Sequence, residues 1–250
     1  MATATIAPWE PPLVRSAAYE LLSLAFLFPE AGACEALQEK ARDVSDAASA
    51  LGWGELAESS DAVACRFAAA SDQELTEDYV DIFGHGVSKD CPQYEGEYLE
   101  THIFLKSQAL AELSAFYNAF GVGVNPELRD RLDHISVELE FMHFLAMKEA
   151  YALLHGHGPD KVGLCQDAQK TFLKEHLAIW AKSFVRRVGK KAGSDTPYAT
   201  LVRLLDTHMK TEFIAHDIKP ASSRQVIIPL EQEEEDALDC MECPMAPDSL

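Results

Sequence analysis

The chain has 250 residues, of which 48% are hydrophobic, and its 41 acidic side chains outnumber its 21 basic ones, which gives a formal net charge of −20. A chain of this length buries enough apolar surface to form a core without a disulfide or a metal. Its acidity repels phosphate backbones and anionic lipids, so we expect no nucleic acid binding and no membrane insertion. The same charge either keeps the protein soluble or attracts a basic partner.

The first third of the chain is predicted to be helical. Apolar periodicity and helix-start signals indicate helices over residues 11–28, 35–51, roughly 55–70 and 71–84. Ser71 stands three residues before Glu74, as in a capping box, and Gly84 is placed to end the fourth helix. The first twelve residues contain no Lys or Arg, so we expect no secretory signal, and six scattered cysteines favour a reduced, cytoplasmic protein.

A loop over residues 84–96 precedes four further predicted helices, over 97–120, from Asn125 and Pro126 to about residue 154, over 160–188 and over 196–216. No stretch alternates with period two, and Pro229 interrupts the one β-branched run. The sequence therefore predicts an all-α fold, a single globular bundle of about eight helices over residues 1–217. Residues 218–250 are expected to form a flexible acidic tail, with eight acids and no Lys or Arg from Glu231 onward.

The apolar stretch 133–151 contains five side chains that bind metals, move protons or hold basic groups: Asp133, His134, Glu138, Glu140 and His143. On a helix, His134 and Glu138 share one face, and we expect His134 to supply a hydrogen bond to a buried Glu138. Such a pair is either structural or part of a binding site. Glu140 and His143 form one Glu-x-x-His pair, whereas a di-iron bundle requires two.

No other pattern in the sequence predicts a metal, a cofactor or catalysis. Cys240 and Cys243 form a single CxxC, and a structural zinc site requires two more ligands. Motifs for phosphate binding or for an activated nucleophile do not occur in the sequence. We therefore expect a protein that is not an enzyme and holds no cofactor or metal. A helical metal-binding protein and a generic adaptor are the alternatives.

Aromatic residues crowd the ends of the segment 77–99, which contains Tyr79, Phe83, Tyr94 and Tyr98, with Pro92 between them. Aromatic rings that carry one polar atom suit a groove that accepts a peptide or a cofactor. The alternative is that these side chains anchor the loop to the helices beneath it. Long loops in compact helical domains are commonly functional.

Three stretches together resemble the TorD/DmsD/NarJ family, and its TorD/DmsD branch in particular. They are YVDIFG…CPQYEGEYL at 79–99, DHISVELEFMHFLAMKEA at 133–150, and FLKEHLAIWAKSFVRRV at 172–188, with His176, Trp180 and Phe184 in place. The resemblance implies an all-helical, cytoplasmic chaperone without catalytic activity. Such a chaperone binds the twin-arginine leader of a molybdenum-cofactor oxidoreductase catalytic subunit and assists cofactor insertion before export.

By the same resemblance, nine residues line or support the leader site: Tyr79, Phe83, Gly84, Pro92, Tyr94, Glu95, Asp133, His134 and Glu138. Asp133 and Glu95 are expected to meet the guanidinium groups of the leader, and the aromatic rings its apolar part. Replacing Asp133 should then weaken binding with little loss of stability. The family loop usually reads Cys-Pro-Pro-Tyr-Glu-Ser, so Gln93 and Gly96 depart from it and predict a more mobile loop. The client, and the choice between a monomer and a domain-swapped dimer, stay open.

Overall fold

The computed structural model describes residues 6–99, 103–123 and 131–218, and over these ranges the predicted all-α fold is confirmed. The α-helices are α1 Glu10–Ala25, α2 Ala33–Ala50, α3 Gly54–Ala68, α4 Asp72–Phe83, α5 Ile103–Ala119, α6 Ile135–Leu154, α7 Pro159–Phe172, α8 Ala178–Lys191 and α9 Pro197–Ala215. A π-helical turn, Leu173–Leu177, joins α7 to α8 without a break, and a 3-10 turn, Glu95–Glu97, follows the loop after α4. The predicted acidic tail at 218–250 lies outside the described residues except for Ile218.

The helix boundaries follow local chemistry at several positions. The Ser71 side chain accepts a hydrogen bond from the Glu74 amide at 3.1 Å, so the predicted cap of α4 is confirmed. Thr196 caps α9 in the same way, and Pro197 fills the first position of that helix, where no amide hydrogen is needed. Gly84 ends α4 with φ +73, a left-handed value that side chains with a Cβ rarely adopt.

The core forms around α1, which packs most extensively on α6 and also contacts α2 and α9. The helices α2 and α3 form an antiparallel pair, and α3 packs on α9. Aromatic rings fill the space beneath the loop that follows α4. Phe83 stacks on Phe184 at 6.1 Å between centroids and meets Tyr198 edge-on at 5.3 Å, while Phe26 meets Phe184 at 5.2 Å. This cluster gives the loop a rigid base.

The start of α6 differs from the sequence prediction. Residues 131–134 are not helical, and α6 begins at Ile135 with His134 as its cap in an extended conformation. The prediction that Asp133 and His134 lie on the helix is therefore wrong, and the predicted start at Asn125 and Pro126 lies outside the described residues. The physical reason is long-range pairing, because the backbone at 133–135 bonds to the loop at 93–95 and the Tyr117 hydroxyl donates to the Leu132 carbonyl at 2.9 Å.

The long helix predicted over 97–120 also begins later than expected. Residues 95–97 form the 3-10 turn, residues 100–102 lie outside the described ranges, and α5 is described from Ile103. No described helix combines the length and the apolar character that a bilayer span requires.

A buried polar cluster ties α1 to α6, α7 and α9. The Arg15 guanidinium donates to Glu149 at 2.7 Å, to Glu212 at 3.2 Å and to Gln169 at 3.2 Å, and it lies 2.7 Å from His216 Nε2. All five side chains are less than a tenth exposed. A buried guanidinium is stable only when it is paired and hydrogen-bonded, which this cluster provides.

Glu212 of this cluster and the neighbouring His208 make stability depend on pH. Burial alone would raise the pKa of Glu212, but Arg15 and the hydrogen bond from His216 lower it to about 2. Burial lowers the pKa of His208 to about 4, and neither of its ring nitrogens has a hydrogen-bond partner among the described residues. Protons therefore bind the unfolded chain more tightly at both positions, and stability falls as the pH decreases, first through His208 and then through Glu212.

We predict that His208→Leu removes the first part of this acid sensitivity. Because the folded pKa of His208 is about 4 and the unfolded one is near 6.5, the wild type should lose about 2 kcal/mol between pH 7 and pH 5 through this residue. Urea unfolding at both pH values measures the loss. The His208→Leu variant should keep the part of the stability that the wild type loses through His208. The exposed His157→Leu is the matched control and should show the wild-type slope. Equal slopes for all three proteins would contradict the prediction.

Candidate functional site

The loop after α4 is joined by backbone hydrogen bonds to the segment that precedes α6. The Glu95 amide donates to the Asp133 carbonyl at 2.9 Å, and the Ile135 amide donates to the Gln93 carbonyl at 2.8 Å. These two bonds flank an isolated antiparallel bridge between Tyr94 and His134. Two of the three stretches that carry the family resemblance therefore lie side by side.

Both carboxylate oxygens of Asp133 stabilise this contact between the loop and the segment that precedes α6. Its Oδ1 accepts from Arg131 Nε at 2.9 Å, and its Oδ2 accepts from Arg131 Nη2 at 2.7 Å and from the Gly96 amide at 3.0 Å. Arg131 also reaches Glu97 at 3.1 Å. The carboxylate is 1% exposed and already pairs in a bidentate manner with a guanidinium group of its own chain.

Glu95 is buried at the centre of the site, where the π-helical turn brings His176 to it. His176 Nδ1 lies 3.1 Å from Glu95 Oε2 and 3.3 Å from Oε1. Because a carboxylate only accepts, the imidazole donates this hydrogen bond through Nδ1. A π turn adds one residue to a helical turn and redirects the side chains within it, and such turns are frequent at functional sites.

Glu138 lies next to Glu95 and is fully buried. Its Oε2 accepts a hydrogen bond from the Trp180 indole at 3.2 Å, so the partner that the structure shows is Trp180, where the sequence predicted His134. His134 accepts from the Ser136 amide through Nδ1 at 3.2 Å and caps α6. Burial, together with the charge of Glu95, raises the pKa of Glu138 well above its usual range.

The raised pKa of Glu138 favours the protonated form of its carboxyl group. Glu138 Oε1 is buried and receives no hydrogen bond from the described residues. A protonated Glu138 places a donor at this buried position, and the nearby carboxyl group of Glu95 is one cause of the raised pKa. The three resembling stretches thus meet in one junction, which we name the carboxyl junction: Glu95, Glu138, His176 and Trp180.

The aromatic residues around the loop anchor it to the helices. The Tyr79 hydroxyl donates to Gln93 Oε1 at 3.0 Å, and Gln93 Nε2 donates to the Phe26 carbonyl at 3.1 Å. The Tyr98 hydroxyl donates to the Pro92 carbonyl at 2.8 Å. The sequence left two roles open for these rings, a groove for a peptide or cofactor and anchoring of the loop. The contacts that the structure shows are anchoring contacts.

The two departures from the family loop both make specific contacts. Gln93 is buried and connects Tyr79 to the C-terminal end of α1. A Cβ on Gly96 would lie 3.0 Å from Asp133 Oδ2 and 3.1 Å from Arg131 Nη2, so a glycine lets this ion pair approach the backbone closely. The sequence predicted a more mobile loop from these same positions.

The nine predicted residues are brought together, but most of them are inside the protein. Seven are buried: Tyr79, Phe83, Pro92, Glu95, Asp133, His134 and Glu138. Gly84 is exposed, and Tyr94 is half-buried, with Arg131 stacked 4.6 Å from its ring centre. An exposed ring that the sequence interpretation missed, Phe28, meets Tyr79 edge-on at 5.3 Å and is 55% exposed. The exposed part of the Phe28 ring therefore leaves apolar surface accessible beside Tyr79.

Three further residues were not identified as site residues from the sequence. Arg131 lies within the helix that was predicted from Asn125 onward, and no motif pointed to it. The resemblance included His176 and Trp180, but nothing in the sequence linked them to Glu95 or Glu138. Among the residues that the structure describes, no group of three or more His, Cys, Asp or Glu side chains is arranged to hold a metal ion.

Comparisons with known proteins agree with the resemblance. The profile of the nitrate reductase delta subunit family matches residues 34–186. The chlorate reductase assembly chaperone protein of Ideonella dechloratans is 37% identical over 103 residues, which are 40% of this chain and 50% of that protein.

Two other relatives are also named as chaperones. The selenate reductase assembly chaperone protein of Thauera selenatis is 29% identical over 145 residues, 56% of this chain and 71% of that protein. Chaperone protein TorD of Vibrio cholerae is 26% identical over 114 residues, 46% of this chain and 50% of that protein. The chain therefore spans about half the length of the chlorate reductase and TorD relatives.

We predict that Glu138→Ala lowers the free energy of unfolding by about 1–3 kcal/mol, because the buried Trp180 indole loses its acceptor. Glu138→Gln keeps an acceptor and needs no proton. A carboxyl group with a raised folded pKa loses its contribution as the pH rises, so the wild type should lose stability relative to the Gln variant between pH 5 and pH 8. Chemical denaturation at both pH values measures this, and a difference that does not change with pH would contradict a protonated Glu138.

Asp133→Ala should destabilise the protein, contrary to the expectation from sequence. The change removes three hydrogen bonds at a buried position and should lower the unfolding free energy by about 1–3 kcal/mol. Thermal melting measures the effect. Asp81→Ala, at an exposed position of α4, is the matched control and should leave the melting temperature unchanged. Equal melting temperatures for both variants would show that the contact between the loop and the segment before α6 does not depend on Asp133.

Proposed function

Because this chain belongs to the nitrate reductase delta subunit family, the family of TorD and NarJ, we propose that it is a maturation chaperone for the catalytic subunit of a molybdenum-cofactor oxidoreductase. It acts in the cytoplasm, where it binds the subunit before the cofactor is complete, assists cofactor insertion and performs no catalysis. The observation that carries the proposal is the carboxyl junction, where the three stretches of the family resemblance meet. The names of the reductase assembly chaperones among its relatives support the same function.

We infer that the client is recognised through its twin-arginine leader. The leader offers two guanidinium groups and an apolar stretch to a protein whose net charge is −20. The nine predicted residues then serve in two ways. Gly84 and Tyr94, which reach the surface, contact the leader, and the seven buried residues hold the loop in the conformation that presents them.

The surface beside the loop suits the apolar part of a leader. Phe28 is exposed at the C-terminal end of α1 and rests on Tyr79, which is itself anchored to the loop through Gln93. An exposed ring on a rigid base loses little conformational freedom when it binds an apolar segment. A leader that lies across this ring is in reach of the loop that follows α4.

The direct test is to isolate the protein from its host and identify what is bound to it. We expect enrichment of a molybdenum-cofactor oxidoreductase catalytic subunit, and of that subunit with its leader in preference to a form from which the leader has been removed. If no such subunit is enriched, the proposed function is overturned.

Phe28→Ala tests where the leader binds. It should weaken binding of a twin-arginine leader peptide about tenfold in a titration, because a partly buried aromatic contact is lost. Tyr151→Ala is the matched control, since Tyr151 is also 55% exposed. Tyr151 lies near the other end of α1, because Arg15 contacts Glu149. If binding weakens equally in both variants, or in neither, the leader does not bind at Phe28. The chaperone function would then still be decided by the isolation experiment.

A further inference from the structure

A basic groove runs along α8 and α9 on a protein that is otherwise strongly acidic. The groove has a volume of about 1740 Å³, and residues of α3, α7, α8 and α9 line it. Its basic residues are Lys170, Lys174, Lys182, Arg186, Arg203 and Lys210, and its acidic residues are Glu55, Glu58, Asp206 and Asp217. Six of the 21 basic side chains of the chain are therefore collected in one groove.

Most of these cations have no counter-ion within the described part of the chain. Lys210 pairs with Asp206 at 2.8 Å, whereas the other five basic residues form no ion pair there. All six are exposed. Like charges gathered in a groove repel one another and raise the local concentration of anions, so the groove is built to hold a negatively charged occupant.

An acidic segment of the same chain is tethered at the edge of the groove. Ile218 is among the lining residues and is the last residue before the undescribed range 219–250. The segment 231–239, which we name the acidic segment, reads EQEEEDALD and contains six acids and no basic residue. Its charge is opposite to that of the groove, where six basic and four acidic side chains leave a net positive charge.

The tether is long enough for this contact. Twelve residues lie between Ile218 and Glu231, and an extended chain of that length spans roughly 40 Å. The basic positions from Lys170 to Arg186 extend about 24 Å along the helical axis. A short tether also produces an effective concentration in the millimolar range, which favours the attached segment over free anions.

We propose that the acidic segment docks in the basic groove of its own chain. The docked segment neutralises the groove and keeps other polyanions out of it, and the contact weakens with salt because the charges are exposed. The groove also includes Tyr98, whose hydroxyl holds the Pro92 carbonyl, so the occupied groove adjoins the loop of the candidate site. None of the nine predicted site residues lines the groove, so this contact is separate from the proposed leader site.

A zero-length carbodiimide cross-linker tests the proposal on the full chain at low protein concentration and low salt. It joins carboxylates to lysines only where they already form ion pairs. We expect links between the acidic segment and Lys170, Lys174, Lys182 or Lys210, identified by mass spectrometry. The exposed pair of Lys191 and Asp90, at 2.8 Å, is the internal positive control for the reaction.

Two matched double variants decide whether the groove is the site of binding. Lys174→Glu with Lys182→Glu should reduce the remaining links at Lys170 and Lys210 about tenfold, because the attraction becomes repulsion. Lys148→Glu with Lys161→Glu changes the net charge equally at exposed positions away from the groove and should leave those links at the wild-type level.

A mixture of isotope-labelled and unlabelled protein distinguishes the source of the segment. Links within one chain support the proposal. Links between labelled and unlabelled chains overturn it in favour of the segment of a second copy. The proposal is also overturned if Lys191 and Asp90 are linked but the acidic segment is not, or if the segment is linked equally to Lys148 and Lys161.

Discussion

The structure of the candidate site depends on a buried carboxyl group, Glu95, which meets side chains from two distant parts of the chain. His176 donates to it from the π-helical turn, and burial together with the charge of Glu95 raises the pKa of Glu138 on α6. An isolated buried carboxylate would cost several kcal/mol, so the loop, the start of α6 and the end of α7 form a stable arrangement only jointly. A loop that the sequence leaves without regular structure is thereby given a fixed position.

This junction explains why so many of the predicted site residues are internal. Asp133 and His134 hold the backbone that pairs with the loop, and Tyr79 holds Gln93. What reaches the surface is a smaller set, Tyr94, Gly84 and the adjoining Phe28. The protein thus has two faces of different chemistry, an aromatic one beside the loop and a basic groove along α8 and α9. Tyr98 lies between them, since it holds Pro92 on one side and lines the groove on the other.

Local signals in the sequence predicted the helices well, because the Ser71 cap, the Gly84 stop and the proline at the start of α9 act within a few residues. They failed at 131–134, where pairing with the loop overrides a helical pattern that continues into α6. The family resemblance named Glu95, Glu138, His176 and Trp180, but no periodicity could show that they meet, because their contacts join residues 81 and 42 positions apart. The exposed position of Phe28 likewise depends on how α1 ends against α4.

Native-state hydrogen exchange of two backbone amides tests most directly whether the junction fixes the loop. The Glu95 and Ile135 amides form the two bonds between the loop and the start of α6. If the carboxyl junction holds these segments as one unit, both amides exchange as slowly as the core amides of α6, through global unfolding. Exchange of either amide as fast as in an exposed loop, while α6 stays protected, would show that the loop is not held by the junction and would contradict the account.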